Sequence, residues 1–338
     1  MDAKTAQSML ELAESSRPKF RGAEAKAAIG QLEMHSVELL GAIEWLLTND
    51  RVDEARRLAS ALVPFWLATK RLQEGIDQLE RVLAADGGDD RHRGRVLYDV
   101  GYVAFWKGED EKSSAFQHEA IAVGRRSNNA TVTALALVGL ARIALRSDVE
   151  MARRLCREAI AETEGSEDEI GRSSAMHVLG VAAQMAGDFV EAKDVMSRRI
   201  ALAREKGNLY TISSEAGNLS MVERQLGNLE TAELLAAEAL EIDFQTGNEM
   251  AIPWKVNGLA AVAAERGELE RAATLIGIAD FTLEAAQGAW PPDELAQYQR
   301  TVAIVAAGLG TTELDRARNA TRAMTTADAV AFALRVRA

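Results

Sequence analysis

A chain of 338 residues in which 48% of side chains are aliphatic, aromatic or sulfur-bearing, with only five prolines, has ample material for a core, and this composition excludes a disordered chain. Lys and Arg total 39 against 51 Asp and Glu, a formal net charge of -12, so the surface field repels phosphate backbones and anionic headgroups and argues against direct contact with nucleic acid or membrane. A single cysteine, Cys156, rules out an internal disulfide, and with neither a signal-peptide core nor an 18-residue apolar run the chain is expected in the cytoplasm.

Residues 1–32 read as a helical lead-in, MDAKTAQSMLELAE mixing charged with apolar positions. Paired helices follow. NDRVDEA sets Ala55 five positions after a turn at Asp50, and KRLQEG sets Gly75 five positions after a turn at Lys70. The 20-residue step between those turns makes the helix from Asp53 to Trp66 serve both of its neighbours. The period then settles: Gly108, Ser147, Gly187, Gly227 and Gly267 are separated by 39, 40, 40 and 40 residues, and a mostly alanine position follows each by five (Ala152, Ala192, Ala232, Ala272). Seven before each turn stand Gly101, Leu140, Gly180, Ser220 and Ala260, four of them small, which lets the two helices of a pair approach closely. In the unit from Arg172 to Lys206, Met176, Leu179 and Ala183 share one face of the first helix, and Phe189, Ala192, Val195 and Ile200 line the second. Gly187 supplies the left-handed turn between them and Asp188 suits the next N-cap. After Ala286 the periodicity fails, and GAWPPDELAQYQR opens a new helix at Pro291 and Pro292, followed by two or three short helices to Ala338 that cap the stack.

The paired small residues and the turns GDFVEA, GNLETA and GELERA resemble the tetratricopeptide repeat, lengthened from about 34 to about 40 residues. The expected fold is all-α, a tetratricopeptide-like helical-repeat solenoid: a right-handed superhelix of antiparallel helix pairs over 33–286, closed by C-terminal capping helices over 287–338.

Motifs for chemistry are missing. There is no phosphate loop, no dinucleotide-binding glycine turn, no H-E-x-x-H, no C-x-x-C and no nucleophile elbow, so no cofactor is expected. The four histidines, His35, His92, His118 and His177, have no ligand spacing on a helix, and no protein-built metal site is expected. Cys156 in MARRLCREAI reads as a buried small apolar residue. The acidic runs GSEDE and DGGDD fall at turns and read as solvated loop charge.

In such arrays the first helix of each pair lines the concave face. Aligned on the turns, the lining positions are Tyr98, Leu137, His177, Gly217 and Asn257 ten residues before, and Arg95, Ala134, Ser174, Ser214 and Trp254 thirteen before. Tyr98, Tyr102, Phe105 and Trp106 fall within nine residues of a chain that is 5% aromatic. Aromatic walls with a few orienting polar groups suit a binding site, and the candidate residues are Tyr98, Tyr102, Trp106, His177, Gln184, Arg224, Trp254 and Asn257. Packing between repeats is the competing reading for the rings, a satisfied half-buried side chain for His177, and a local ion pair for Arg224. Trp45 and Trp66 read as core.

Longer stretches carry a further resemblance. LELAESSRPKFRG, QLEMHSVELLGAIEWLL, ARRLASALVPFWLATKRLQEGIDQLERVLA and ERAATLIGIADFTLEAAQGAWPPDELAQYQRTVAIVAAGLG are similar to the C-terminal sensor region of bacterial STAND-type signalling proteins, the MalT-like, LuxR-type and AfsR-type regulators. The resemblance implies a region that receives an inducer or a partner protein, which an upstream ATPase and a helix-turn-helix convert into transcription; neither part stands in this sequence. The leading expectation is a non-enzymatic receptor module binding a small molecule in its groove, with a homodimer possible. The alternative is an adaptor taking a partner helix or peptide there. A third reading is an enzyme using His177 or a groove carboxylate as acid or base with Tyr98 assisting.

Overall fold

The computed structural model describes residues 1–20, 24–165, 169–286, 288, 290 and 292–335, with the backbone alone at 292 and 293. Parts of three expectations, the centre of the GSEDE turn, Pro291 and the final residues to Ala338, lie outside the described residues. Every regular element among the described residues is a helix, and the architecture is an all-α helical-repeat solenoid. The chain divides into two compact units, Met1–Ala186 and Gly187–Ala338.

The first unit runs α1 (Ala3–Ser16), a 3-10 turn (Arg17–Phe20), α2 (Ala25–Met34), α3 (Ser36–Thr48), α4 (Val52–Ala68), α5 (Leu72–Ala84), α6 (Asp90–Lys107), α7 (Asp110–Arg126), α8 (Ala130–Ala144), α9 (Val149–Glu162) and α10 (Glu169–Met185). Consecutive helices pack on one another from α3 to α10, and α4 touches both α3 and α5 as the short step in the period requires. The turns explain the period. Gly108 has φ 87°, and the shifted positions Asp50 and Lys70 take the same left-handed conformation, φ 57° and 58°, although neither is glycine. At Ser147 the turn closes without a left-handed residue: the Ser147 and Asp148 amides both donate to the Ala144 carbonyl, at 3.0 and 2.7 Å.

Small residues act as expected between α6, α7 and α8, with one addition. Gln117 of α7 is fully buried, and its amide lies against Gly101 of α6 and Gly139 of α8; a Cβ at either glycine would come within 2.5 Å of it. In the slot that alanine fills elsewhere, Ser113 donates its hydroxyl to the Gly101 carbonyl at 2.7 Å. Trp66 is fully buried, with Gly75 flat against its ring.

The second unit runs α11 (Phe189–Glu205), α12 (Leu209–Gln225), α13 (Leu229–Gln245), a 3-10 turn (Glu249–Ala251), α14 (Ile252–Glu265), α15 (Leu269–Ala285), α16 (Pro292–Leu309), α17 (Thr311–Thr321) and α18 (Thr326–Ala333). Asp188 and Asn208 cap α11 and α12, accepting from the Glu191 and Thr211 amides at 3.1 Å each. Ala192, Ala232 and Ala272 are fully buried, and Ser220 donates to the Ala232 carbonyl across the α12–α13 pair at 2.7 Å. Buried carboxylates join successive helices here: Glu215 to Arg199 at 2.5 Å, Glu223 to Lys193 at 2.8 Å, and Glu233 to both Arg266 and Arg271. Val305, Leu314, Val330 and Ala333 of α16–α18 complete one core with Leu259, Leu275 and Ile276 of α14 and α15.

Candidate functional site

The eight candidate residues fall in both units, five in the first and three in the second. On α6, positions three or four apart bring Tyr98, Tyr102 and Trp106 onto one stripe. Tyr98 and Tyr102 stack with ring centroids 5.8 Å apart, and Tyr102 meets Trp106 edge to face at 6.2 Å. Exposure rises along the stripe: Tyr98 is 7% exposed, Tyr102 half-buried and Trp106 56% exposed. Cations interleave with the rings, Arg95 over Tyr98 at 5.5 Å, Arg142 of α8 over Tyr102 at 5.4 Å, and Arg146 over Phe105 at 4.6 Å. Burial pushes the Tyr98 hydroxyl up to about 12, so it stays protonated at neutral pH.

His177 and Gln184 are half-buried on α10. His177 also has an interaction within the fold. In the second unit Arg224 and Asn257 do not face an open groove, a correction to the sequence expectation. α16 lies against α14, Arg224 pairs with Glu265 and donates to Gln297 at 2.9 Å, and Asn257 donates to the Glu294 carboxylate at 2.8 Å. Both are buried, Arg224 to 8% and Asn257 to 1% exposure. Trp254 is half-buried, and its indole N–H is buried with no partner among the described residues.

Sequence reasoning did not find the cationic cavity of the first unit, bounded by α1, α4 and α6 and lined by Arg17, Arg56, Arg57, His92 and Arg95. A signal was present: SRPKFR, ARR and RHRGR are basic clusters in an acidic chain. Among the described residues no group of three His, Cys, Asp or Glu side chains could hold a metal ion, and no helix is long and apolar enough to cross a membrane.

Cys156 is fully buried on α9, and burial pushes its thiol up to about 12 from 9.0. Below pH 9 the thiol is protonated folded or unfolded. Between pH 9 and 12 only the unfolded chain ionises, so stability falls as pH rises, by at most about 1.4 kcal/mol per pH unit from this group. Urea titrations at pH 8.5, 9.5 and 10.5 are expected to show this loss, and Cys156→Ala to flatten it while lowering stability uniformly for the lost packing. An identical alkaline slope in the variant would assign the loss elsewhere.

No protein-family model matches the chain, and no curated protein matches it. Solved structures do. A signal transduction ATPase with numerous domains and a tetratricopeptide-repeat sensor, from Pyrococcus horikoshii, matches 88% of this chain with a TM-score of 0.62 at 12% identity; the match spans 46% of that protein. A Rap protein complexed with competence and sporulation factor matches over 96% of this chain and 89% of its own, at 13% identity and a TM-score of 0.57. NprR in complex with its cognate peptide NprX matches over 96% and 90%, at 13% identity and a TM-score of 0.54. At these identities the likeness establishes a tetratricopeptide-like fold.

Proposed function

We propose that the chain is a non-enzymatic receptor or adaptor module of a signalling or transcription regulator, and that the stripe Tyr98–Tyr102–Trp106 receives a peptide or a segment of a partner protein. The observation that carries this reading is the form of the stripe: a strip of rings that opens from the half-buried Tyr102 to the exposed Trp106, with Arg142 over Tyr102 and Arg146 over the adjoining Phe105, offers flat apolar area and charge, which suits an extended guest better than an enclosed small molecule. Two of the structural neighbours, the Rap protein and NprR, were solved in complex with competence and sporulation factor and with a cognate peptide, which supports a guest of this class. Tyr98 acts beneath the strip as support for Tyr102. His177 and Gln184 extend the lining in the first unit. Trp254 belongs to a second place in which a guest would have to displace α16 from Arg224 and Asn257. The division into a lead-in over 1–32, an array over 33–286 and a cap over 287–338 is retained in this reading, as is a cytoplasmic setting.

The reading is tested by selecting a displayed library of linear peptides on the purified chain and measuring the enriched peptides against Tyr102→Ala and Trp106→Ala, with helical content as the fold control. Selected peptides are expected to lose tenfold or more in affinity, on the order of 1.4 kcal/mol or more for a well-packed ring. Peptides that bind both variants as well as the parent would sink the assignment.

A further inference from the structure

The first unit contains a cavity of about 310 Å³ whose charge runs against the rest of the molecule. The chain carries a net charge of -12, yet four guanidiniums, Arg17, Arg56, Arg57 and Arg95, with His92, line this cavity against one lining carboxylate, Glu14. The site is built from three places: the end of α1 with the 3-10 turn after it, the middle of α4, and the first turns of α6.

Arg56 is 1% exposed, and its three donors go to backbone carbonyls, Nε to Val82 at 3.3 Å, Nη1 to Gly87 at 2.8 Å and Nη2 to Ala85 at 3.0 Å. The Asp53 carboxylate stays 3.8 Å away and is itself bound by the Asp89 amide at 2.8 Å. Dipoles therefore hold this charge without cancelling it. Burial also draws the Arg56 guanidinium below its ordinary value, against the opposing pull of Asp53. Arg57 forms a two-pronged pair with Glu14 at 2.9 and 2.8 Å, but the two side chains are 42% and 39% exposed, so the pair is weak and exchangeable. Arg95 is oriented by Asp99, its Nε lying 3.1 and 2.9 Å from the two carboxylate oxygens. Of Arg56, Arg57 and Arg95, only Arg56 has no carboxylate in hydrogen-bond contact.

We propose that this cavity binds a small polyanion bearing phosphate or carboxylate groups, gripped by Arg57 and Arg95 above the fixed charge of Arg56. Guanidinium forks match the paired oxygens of both groups. The volume, at the lower end of small-molecule clefts, fits a compact molecule and not a polymer. An anion here would join α1 to α4 and α6, so occupancy would be felt by the segment that precedes the repeats. Neither Tyr102 nor Trp106 lines the cavity, and it meets the aromatic strip through Arg95, which lies over the buried Tyr98.

The experiment is calorimetric titration of the full chain with pyrophosphate and, separately, with citrate, at ionic strength held constant with sodium chloride. Saturable binding of one anion per chain is expected, and Arg57→Gln and Arg95→Gln should each weaken it about tenfold or more. The preferred anion separates a phosphate source from a carboxylate source. Should a variant fail to fold, the side-chain Nε–Hε resonances of Arg56, Arg57 and Arg95 in the unaltered chain serve instead, and they should move together as pyrophosphate saturates. The proposal is overturned if neither anion saturates, if binding survives both substitutions unchanged, or if only other arginine resonances move. Peptide selection and anion titration are separate readouts, so the failure of one leaves the other standing.

Discussion

Arg56→Met is expected to destabilise the first unit by about 3–5 kcal/mol, a large loss for a single side chain outside the apolar core. The guanidinium serves the end of α5 and the turn after it, donating to Val82, Ala85 and Gly87, and methionine would leave all three acceptors without a donor. The turn has no slack to compensate. Gly88 is left-handed at φ 79°, and a Cβ there would lie 2.4 Å from the Arg56 guanidinium and 2.6 Å from Asp53. Arg56→Lys should recover only part of the loss, since an ammonium cannot span three carbonyls set by a planar fork. Urea unfolding of the full chain measures the cost, and hydrogen exchange at residues 82–89 locates it. A loss below about 1 kcal/mol would mean that water satisfies these carbonyls and that the clamp is incidental.

The second large effect is expected at Glu233, whose side chain is 4% exposed between Arg266 and Arg271. Removing Glu233 leaves Arg266 without its carboxylate and Arg271 with Glu268 alone, at 3.2 Å, so Glu233→Ala should cost about 3 kcal/mol. Glu233→Leu should do no better, because two guanidiniums remain. Replacing all three together, Glu233→Leu with Arg266→Met and Arg271→Met, is expected to regain much of the loss, since well-packed apolar groups avoid desolvating charge. Thermal unfolding of the three variants decides the point. Equal destabilisation by the single and the triple replacement would show that shape, and not charge, holds α13 to α14 and α15.

The repeat was legible because its turns impose a backbone conformation that few residues accept. Gly108, Gly187, Gly227 and Gly267 all take positive φ, and counting back from them located Asp50 and Lys70, which take it without being glycine. The fully buried Ala192, Ala232 and Ala272 were legible for the same reason, since close helix approach admits only small side chains. Contacts between distant segments left no periodic trace. Arg224 meets Gln297 across 73 residues, and the mouth of the cationic cavity joins Arg57 to Glu14 across 43. For Arg224 the local helix suggested an open lining position, and α16 lies there instead. The aromatic stripe, in contrast, was visible because Tyr98, Tyr102 and Trp106 share one face at helical spacing.

The aromatic strip as a receiving surface is tested most directly by fluorine resonance on the chain labelled with fluorotryptophan, whose five tryptophans report separately. On titration with a selected peptide, the resonance of the exposed Trp106, assigned by Trp106→Phe, is expected to move in proportion to occupancy, while that of the fully buried Trp66 stays in place. A Trp106 resonance that stays fixed at saturation while Trp254 or Trp290 moves would place the guest elsewhere and contradict the account.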